Sequence, residues 1–216
     1  MALARVAKVA IPYYSTYGHI HQLAKAIKEG ADKVPNVDAK LYRIPETLPK
    51  EILEKIHAAP PTSDPEITTD ILAAADGFLF GYPTRFGSFP SQVKSFIDST
   101  GALWATKALY GKFAGTFVSS NSQHGGQETT HLALINWLAH NAISYVPLGY
   151  ASDHINNDKV ITGGSPYGAS TIAGENGSRQ PTDLDLETAR IQGENFAKLV
   201  STYVKGKEAG LLNSKI

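Results

Sequence analysis

The 216-residue chain contains no cysteine. That absence excludes a disulfide scaffold, a cysteine-ligated zinc or iron–sulfur centre and a thiolate nucleophile together. An excess of one charge is missing as well. Lys plus Arg and Asp plus Glu both number 20, for a formal net charge of +0. Without surplus positive charge there is no bulk attraction to a polyphosphate backbone, so a nucleic-acid partner is not expected. No apolar run approaches the ~18–20 residues of a membrane-spanning helix, so no integral membrane segment is expected. Met1–Ile11 is apolar, but Arg5 and Lys8 interrupt it and no small-residue cleavage site follows. It reads as the approach to a first strand rather than as a secretory leader. Neither G-x-x-x-x-G-K-S/T nor G-x-G-x-x-G occurs. A triphosphatase phosphate loop is thereby excluded and a Rossmann dinucleotide site is not expected.

What is present describes one globular domain. Hydrophobic residues make up 42% and charged residues 19%, a balance that suits neither a disordered chain nor a membrane protein. The expected domain spans residues 1–204, followed by a tail at 205–216. Arg5–Tyr13 is nearly continuous in apolar residues, as in a parallel strand buried on both faces. Ile20, Leu23, Ala24, Ile27 and Ala31 then recur at helical spacing. Val37–Ile44 reads as a second strand, and a proline-punctuated connection from Pro45 to Pro65 leaves room for a short helix at Lys50–Ala58. Further strands are expected at Gly77–Tyr82, Phe113–Ser119 and Ser144–Leu148, and helices at Thr69–Ala75, Ser91–Thr100 and Glu128–Asn141. A long segment rich in Gly, Ser and Asn leads to Pro181. It is too long for an ordinary loop and implies a functional or interface element. Thr182–Val204 closes the chain as a helix capped by Thr182 or Asp183, with Leu186, Ala189, Ile191, Phe196, Leu199 and Val200 available for burial. The alternation predicts an α/β flavodoxin-like three-layer sandwich with a five-stranded parallel sheet of order 2-1-3-4-5. Its ligand would sit beyond the carboxyl ends of the strands, at the switch point.

Three loops lie at those ends. Ser15-Thr16-Tyr17-Gly18-His19-Ile20 joins a strand to a helix. It is either an anion cradle of hydroxyls and free N–H groups or a plain N-cap by Ser15 or Thr16. Tyr82–Pro90 has two prolines that fix its backbone, the cation of Arg85, and Phe86 and Phe89. It suits a planar heteroaromatic ligand, or else the rings plug the core and the arginine is solvated. Ser119–Glu128 is small and polar, allowing backbone N–H groups to approach a ligand, as a flexible surface loop also would. Glu128 and His131 have metal-like spacing but no partners, so they read as a solvated helix face, and no metal site is expected. Trp137 reads as core or subunit interface. Asn176-Gly177-Ser178 matches a glycosylation pattern that carries little weight without a leader. Ser214-Lys215-Ile216 differs from the Ser-Lys-Leu peroxisomal address at its last residue and reads as a frayed end.

From about residue 5 to 204 the chain resembles the tryptophan-repressor-binding-protein (WrbA-like) family of flavodoxin-like NAD(P)H:quinone oxidoreductases. The resemblance rests on Tyr14–Ile20, Pro83–Gly87, Gly125–Glu128, Val146–Tyr150, Gly163–Ala169, Thr171–Gly174 and Gly177–Pro181. It implies noncovalent FMN, with NADH or NADPH as co-substrate and a quinone as electron acceptor. It also implies that Ser15, Thr16, Tyr17, Gly18, His19 and Ile20 hold the phosphate. Pro83, Thr84, Arg85 and Phe86 would border the isoalloxazine, and Ser120, Asn121, Ser122, Gln123, His124 and Gly125 would close over its other edge. Tyr17 and Trp104 match aromatic positions beside the substrate pocket. His140 matches a histidine that reaches the flavin from a neighbouring subunit of a homotetramer. An antioxidant role and a cytoplasmic location, extending to the periphery of a membrane, complete the expectation. Asn121 and His124 replace family glycines. Asn121 is expected to take up the left-handed backbone there, and the His124 imidazole to crowd the flavin. Weakened FMN binding, with a regulatory or scaffolding role, is the alternative this departure opens.

Overall fold

The computed structural model describes residues 5–211; Ser214-Lys215-Ile216 lies outside them. Strands β1 (Ala7–Tyr13), β2 (Val37–Arg43), β3 (Gly77–Pro83), β4 (Phe113–Ser120) and β5 (Ser144–Tyr145) form one parallel sheet in the order β2-β1-β3-β4-β5, and β6 (Ser170–Ile172) pairs with β4. The helices are α1 (His19–Asp32), α2 (Lys50–Lys55), α3 (Thr69–Ala74), α4 (Ser91–Asp98), α5 (Gly101–Ala105), α6 (Gln127–Ala133), α7 (Ile135–His140) and α8 (Asp183–Glu208).

The strands read as continuous apolar runs because helices cover both faces of the sheet. In β3, Leu79 joins one core cluster, while Phe78, Phe80 and Tyr82 join the cluster on the opposite face. The first cluster also takes Leu23 and Ile27 from α1 and Phe196 and Val200 from α8. Glycine brings these two helices together. A Cβ on Gly193 would stand 2.0 Å from the Ile27 carbonyl oxygen, and one on Gly30 would stand 2.0 Å from that of Arg190. Leu199, expected inside, is exposed on α8, and Gln192 is buried instead. The Gln192 amide donates to Thr116 O at 3.0 Å and accepts from Ala169 N at 2.9 Å, which satisfies a polar side chain in the core. α8 itself continues to Glu208, with Lys205 and Lys207 favourably placed in its last turn.

The expected fifth strand, Ser144–Leu148, is cut to Ser144–Tyr145, and the sheet has six strands rather than five. Val146 N still donates to Ala114 O at 2.7 Å, but Pro147 has no N–H to continue the ladder. The chain departs there and returns as β6 against Val118–Ser120, the carboxyl half of β4. The helix expected over Glu128–Asn141 is two helices meeting at Leu134, and Trp104 sits on α5, an unanticipated short helix. Trp137 packs in the core. Its ring meets Phe80 edge-on at 5.6 Å, and its indole N–H donates to Thr100 Oγ1 at 3.1 Å.

Candidate functional site

β1, β3 and β4 end side by side, and a crevice of about 610 Å³ opens beyond their carboxyl ends. This is the place where the strand order reverses, so the loops after β1 and β3 diverge and leave a gap. The size suits a cofactor-sized molecule.

The floor is the start of α1. Gly18, at φ 90°, is the N-cap residue, and neither Ser15 nor Thr16 serves as that cap. Ser15 Oγ accepts from Gly18 N at 3.1 Å and reaches His21 N only at 3.4 Å. The N-cap residue itself supplies no side-chain bond, so the Ser15 hydroxyl meets the first turn only through the long contact to His21 N, and that turn holds no acidic residue. The anion-cradle reading is therefore the one the geometry favours, because free N–H groups and the positive end of a 14-residue helix face the crevice. His19 also lines the crevice. Its side chain is buried, and Nε2 lies 3.0 Å from Arg179 O, so only its backbone remains for an anion.

Pro83, Thr84 and Arg85 form one wall. Arg85 Nη2 donates to Thr16 Oγ1 at 3.1 Å, which carries the guanidinium to the helix start. Phe89 turns inward and meets Tyr82 edge-on at 5.9 Å. Phe86, at φ 53°, is fully exposed and does not line the crevice. Ser119, Ser120 and Asn121 form the opposite wall. The Ser119–Glu128 loop differs from expectation in two respects. The left-handed residue is His124, at φ 56°, and Asn121 is not left-handed. The His124 imidazole is exposed and, with Gln123, lines a separate hollow beside Glu128 and Thr129. Ser122 and Gly125 belong to the turn itself, where Gly125 N donates to Ser122 O at 3.2 Å.

Two further walls carry residues to which sequence reasoning gave no role. Ile56 and His57 come from the proline-punctuated connection, and Ala173, Glu175, Asn176 and Gly177 come from the long glycine-rich segment. The length of that segment was the signal available. Tyr17, half-exposed, lines the crevice and donates its hydroxyl to Ile56 O at 3.1 Å. Ala59 N donates to Thr16 O at 2.8 Å, so the connection supports the helix start from behind. Trp104 and His140 are exposed and lie outside the crevice of the single chain.

Polar groups behind the loops are fixed and mostly non-titrating at neutral pH. Burial, reinforced by the Glu46 carboxylate, pushes the Tyr14 hydroxyl up to about 12, so it stays a donor to Glu46 at 2.8 Å. Burial opposes ionisation of Glu46, but donors from Leu48, Gln92, Tyr14 and Thr47 outweigh it and hold the carboxyl below its usual range. His131 overturns the solvated-face reading. It is fully buried, with Nδ1 2.7 Å from Thr116 Oγ1 and Nε2 3.2 Å from Ser170 Oγ, and burial pushes its pKa down to about 3. The neutral ring pins α6, which follows the third loop, to β4 and β6.

The residues fit FMN. The start of α1 and Arg85 suit a phosphate, and the hydroxyls and amides of Ser119, Ser120, Asn121 and Asn176 suit a ribityl chain and a ring edge.

Comparison with known proteins follows the same line. Residues 15–157 match the family model for NADPH-dependent FMN reductase. The chain is 54% identical over 192 residues to a quinone-oxidoreductase of Triphysaria versicolor, covering 88% of this chain and 93% of that protein. It is 48% identical over 197 residues to an NAD(P)H dehydrogenase (quinone) of Geobacter sulfurreducens, covering 89% and 97% respectively. Among solved structures, a flavodoxin-like, WrbA-like protein from Agrobacterium tumefaciens superposes with a TM-score of 0.64 at 25% identity, over 91% of this chain and 98% of that one. A fold of this class, an FMN-reductase match across the switch-point loops and relatives at about half identity over nearly their whole lengths agree: the chain belongs to the NADPH-dependent FMN reductase family, among its WrbA-like NAD(P)H quinone oxidoreductases.

Proposed function

We propose that this protein is an FMN-dependent oxidoreductase that passes two electrons from NADH or NADPH to a quinone. The observation that carries this reading is the glycine-started α1, with no acidic residue in its first turn, facing a switch-point crevice with Arg85 bonded to Thr16 at its edge. FMN, when bound, supplies the hydride chemistry, and the protein binds, orients and tunes it. The backbone N–H groups from Thr16 to Ile20, with the Ser15 and Thr16 hydroxyls, hold the phosphate. Pro83 and Thr84 would border the ring, Arg85 would reach from that wall to the phosphate end, and Ser120 and Asn121 would line the ring's other edge. Arg85 also offsets negative charge. The rigid proline-flanked backbone keeps the ring face open to one flat substrate at a time, which implies ping-pong kinetics.

Tyr17, Trp104 and His140 are the proposed substrate-side residues. Trp104 and His140 are exposed and do not line the crevice in one chain, and Phe86 and Tyr150 are also exposed. Exposed aromatics of this kind favour burial against other copies. A homotetramer in which a neighbouring copy completes each site is therefore part of the proposal. So is a single domain through residue 204. Two-electron reduction avoids radical products of the quinone, and an antioxidant role in the cytoplasm or at a membrane's edge follows. Among the described residues, no helix is long and apolar enough to cross a membrane.

The test is direct. Purified protein titrated with FMN should take up one flavin per chain and oxidise NADH or NADPH in the presence of benzoquinone. Absence of flavin uptake would overturn the reading. Light scattering of the FMN-loaded protein should give four chains per particle, and a single-chain mass would remove the tetramer.

A further inference from the structure

We propose that Arg179 is a positioning residue for FMN. It locks the Ala173–Gly177 turn onto the crevice and ties that wall to the phosphate-binding helix through His19. The inference rests on the FMN reading above and deepens it.

Ala173, Glu175, Asn176 and Gly177 line the crevice, although they follow the phosphate loop by more than 150 residues. Local bonds shape this turn, with Ser178 N and Oγ both donating to Asn176 Oδ1, but only bonds to distant groups can hold it against the crevice. The turn is tight, with Gly174 at φ 80° and Gly177 at φ 74°, and Gly177 N donates to Gly174 O at 3.0 Å. Its first residues bond to the third loop. Ala173 N donates to Ser120 O at 2.8 Å, and Gly174 N donates to Asn121 O at 2.9 Å.

Arg179 closes the other end. Its backbone N–H donates to Ala173 O at 2.8 Å. Its guanidinium spans three acceptors: Ile172 O at 2.7 Å, Ile161 O at 2.8 Å and Asp185 Oδ2 at 3.3 Å. A planar fork with several fixed donors can do this, and an ammonium cannot do so equally. Asp185 is wholly buried. Besides Arg179 it accepts from Gly163 N at 2.8 Å, Thr171 Oγ1 at 2.9 Å and Thr182 N at 3.1 Å. β6, the start of α8 and the wall therefore converge on one carboxylate–guanidinium pair.

The link to the cofactor side is the carbonyl of Arg179, which lies 3.0 Å from His19 Nε2. A carbonyl only accepts, so Nε2 carries the proton and the imidazole is the donor. His19 is the first residue of α1, immediately after the phosphate loop. A second clasp runs alongside it, with Gln22 Nε2 donating to Gln180 Oε1 at 2.7 Å. Residues that close the crevice and residues that start the phosphate-binding helix thus hold each other's orientation. Arg179 is not among the residues that line the crevice, so a change there would reach FMN through these bonds.

The test compares wild type with Arg179→Lys, Arg179→Ala, His19→Leu and the Arg179→Lys/His19→Leu double variant. Apoprotein thermal midpoints and FMN dissociation constants, the latter by flavin-fluorescence quenching, are measured on each. Arg179→Ala strands the buried Asp185 charge and risks misfolding, so Arg179→Lys carries the argument. The expected result is FMN binding weakened about tenfold in each single variant, and by about the same factor in the double variant. Cleavage of the 173–181 segment by protease should rise in the variants, and its suppression by added FMN should need about tenfold more FMN than in wild type. An unchanged FMN constant in Arg179→Lys, or multiplicative losses in the double variant, would overturn the inference while leaving wild-type FMN binding intact. Failure of wild type to bind FMN would instead overturn the functional reading itself.

Discussion

Arg85 Nη2 stands 3.1 Å from Thr16 Oγ1, so loops 69 residues apart in sequence are joined at the crevice edge. Arg85 Nη1 is also tied, to Thr84 O at 2.9 Å. The cation is held beside a helix start that already favours anions, and the two effects add at one point.

Arg85→Gln should therefore weaken FMN by about 1.5–3 kcal/mol, the scale of a hydrogen bond to a charged group. Riboflavin, the same ring without the phosphate, should bind the variant and the wild type alike. Parallel titrations with both flavins decide the matter. Equal losses for the two would move Arg85 from the phosphate to the ring.

Gly18 adopts φ 90°, and a Cβ there would meet no atom within 4 Å. The cost of Gly18→Val is thus conformational rather than steric. Backbone strain of this kind runs at about 1–3 kcal/mol. Since the strained residue starts the phosphate-binding helix, the loss should appear in FMN affinity, measured by titration of the apoprotein. An unchanged dissociation constant would detach this loop from the cofactor.

His124 pays a left-handed backbone cost at φ 56°, and Asn121 does not. His124→Gly should relieve about 1 kcal/mol, raising the thermal midpoint by about 2–4 °C. Asn121→Gly relieves nothing and adds chain entropy to the unfolded state, so its midpoint should fall. FMN affinity should be unchanged in His124→Gly, because the imidazole lines a different hollow. A tenfold gain in affinity would show that the side chain crowds the flavin after all.

Burial holds the pKa of His131 at about 3, against an ordinary value of 6.5. The folded ring therefore stays neutral while the unfolded one takes up a proton. As pH falls from 6.5 towards 3, the unfolded state binds more protons and stability is lost, at up to ~1.4 kcal/mol per pH unit from this group. Above 6.5 both states are neutral and the effect vanishes. Urea midpoints at pH 7 and pH 5 should converge in His131→Asn relative to wild type, even though the variant starts lower through loss of the Thr116 and Ser170 contacts. An undiminished pH slope in the variant would assign the acid sensitivity elsewhere.

The sequence by itself determined the layering, the strand order and the loops that matter. Periodicity is a local property: the near-continuous apolar run from Val9 to Tyr13 points to burial on both faces, and Ile20, Leu23 and Ile27 share one helix face. Given right-handed crossovers, the carboxyl ends of β1, β3 and β4 had to be neighbours, so the three loops are legible in the sequence. Tertiary structure decided the rest. Pro147 ended β5 early, and which segment would take its place beside β4 depended on partners far along the chain. His131 lay on what read as a solvated face, but β4 and β6 covered it and supplied hydroxyl partners. The wall at Ala173–Gly177 and its lock at Arg179 carry no periodic signal, because irregular backbone is fixed by hydrogen bonds to distant groups rather than by its own pattern. Hydrophobic spacing encodes which face of an element is buried; only the folded chain decides which polar groups meet across it.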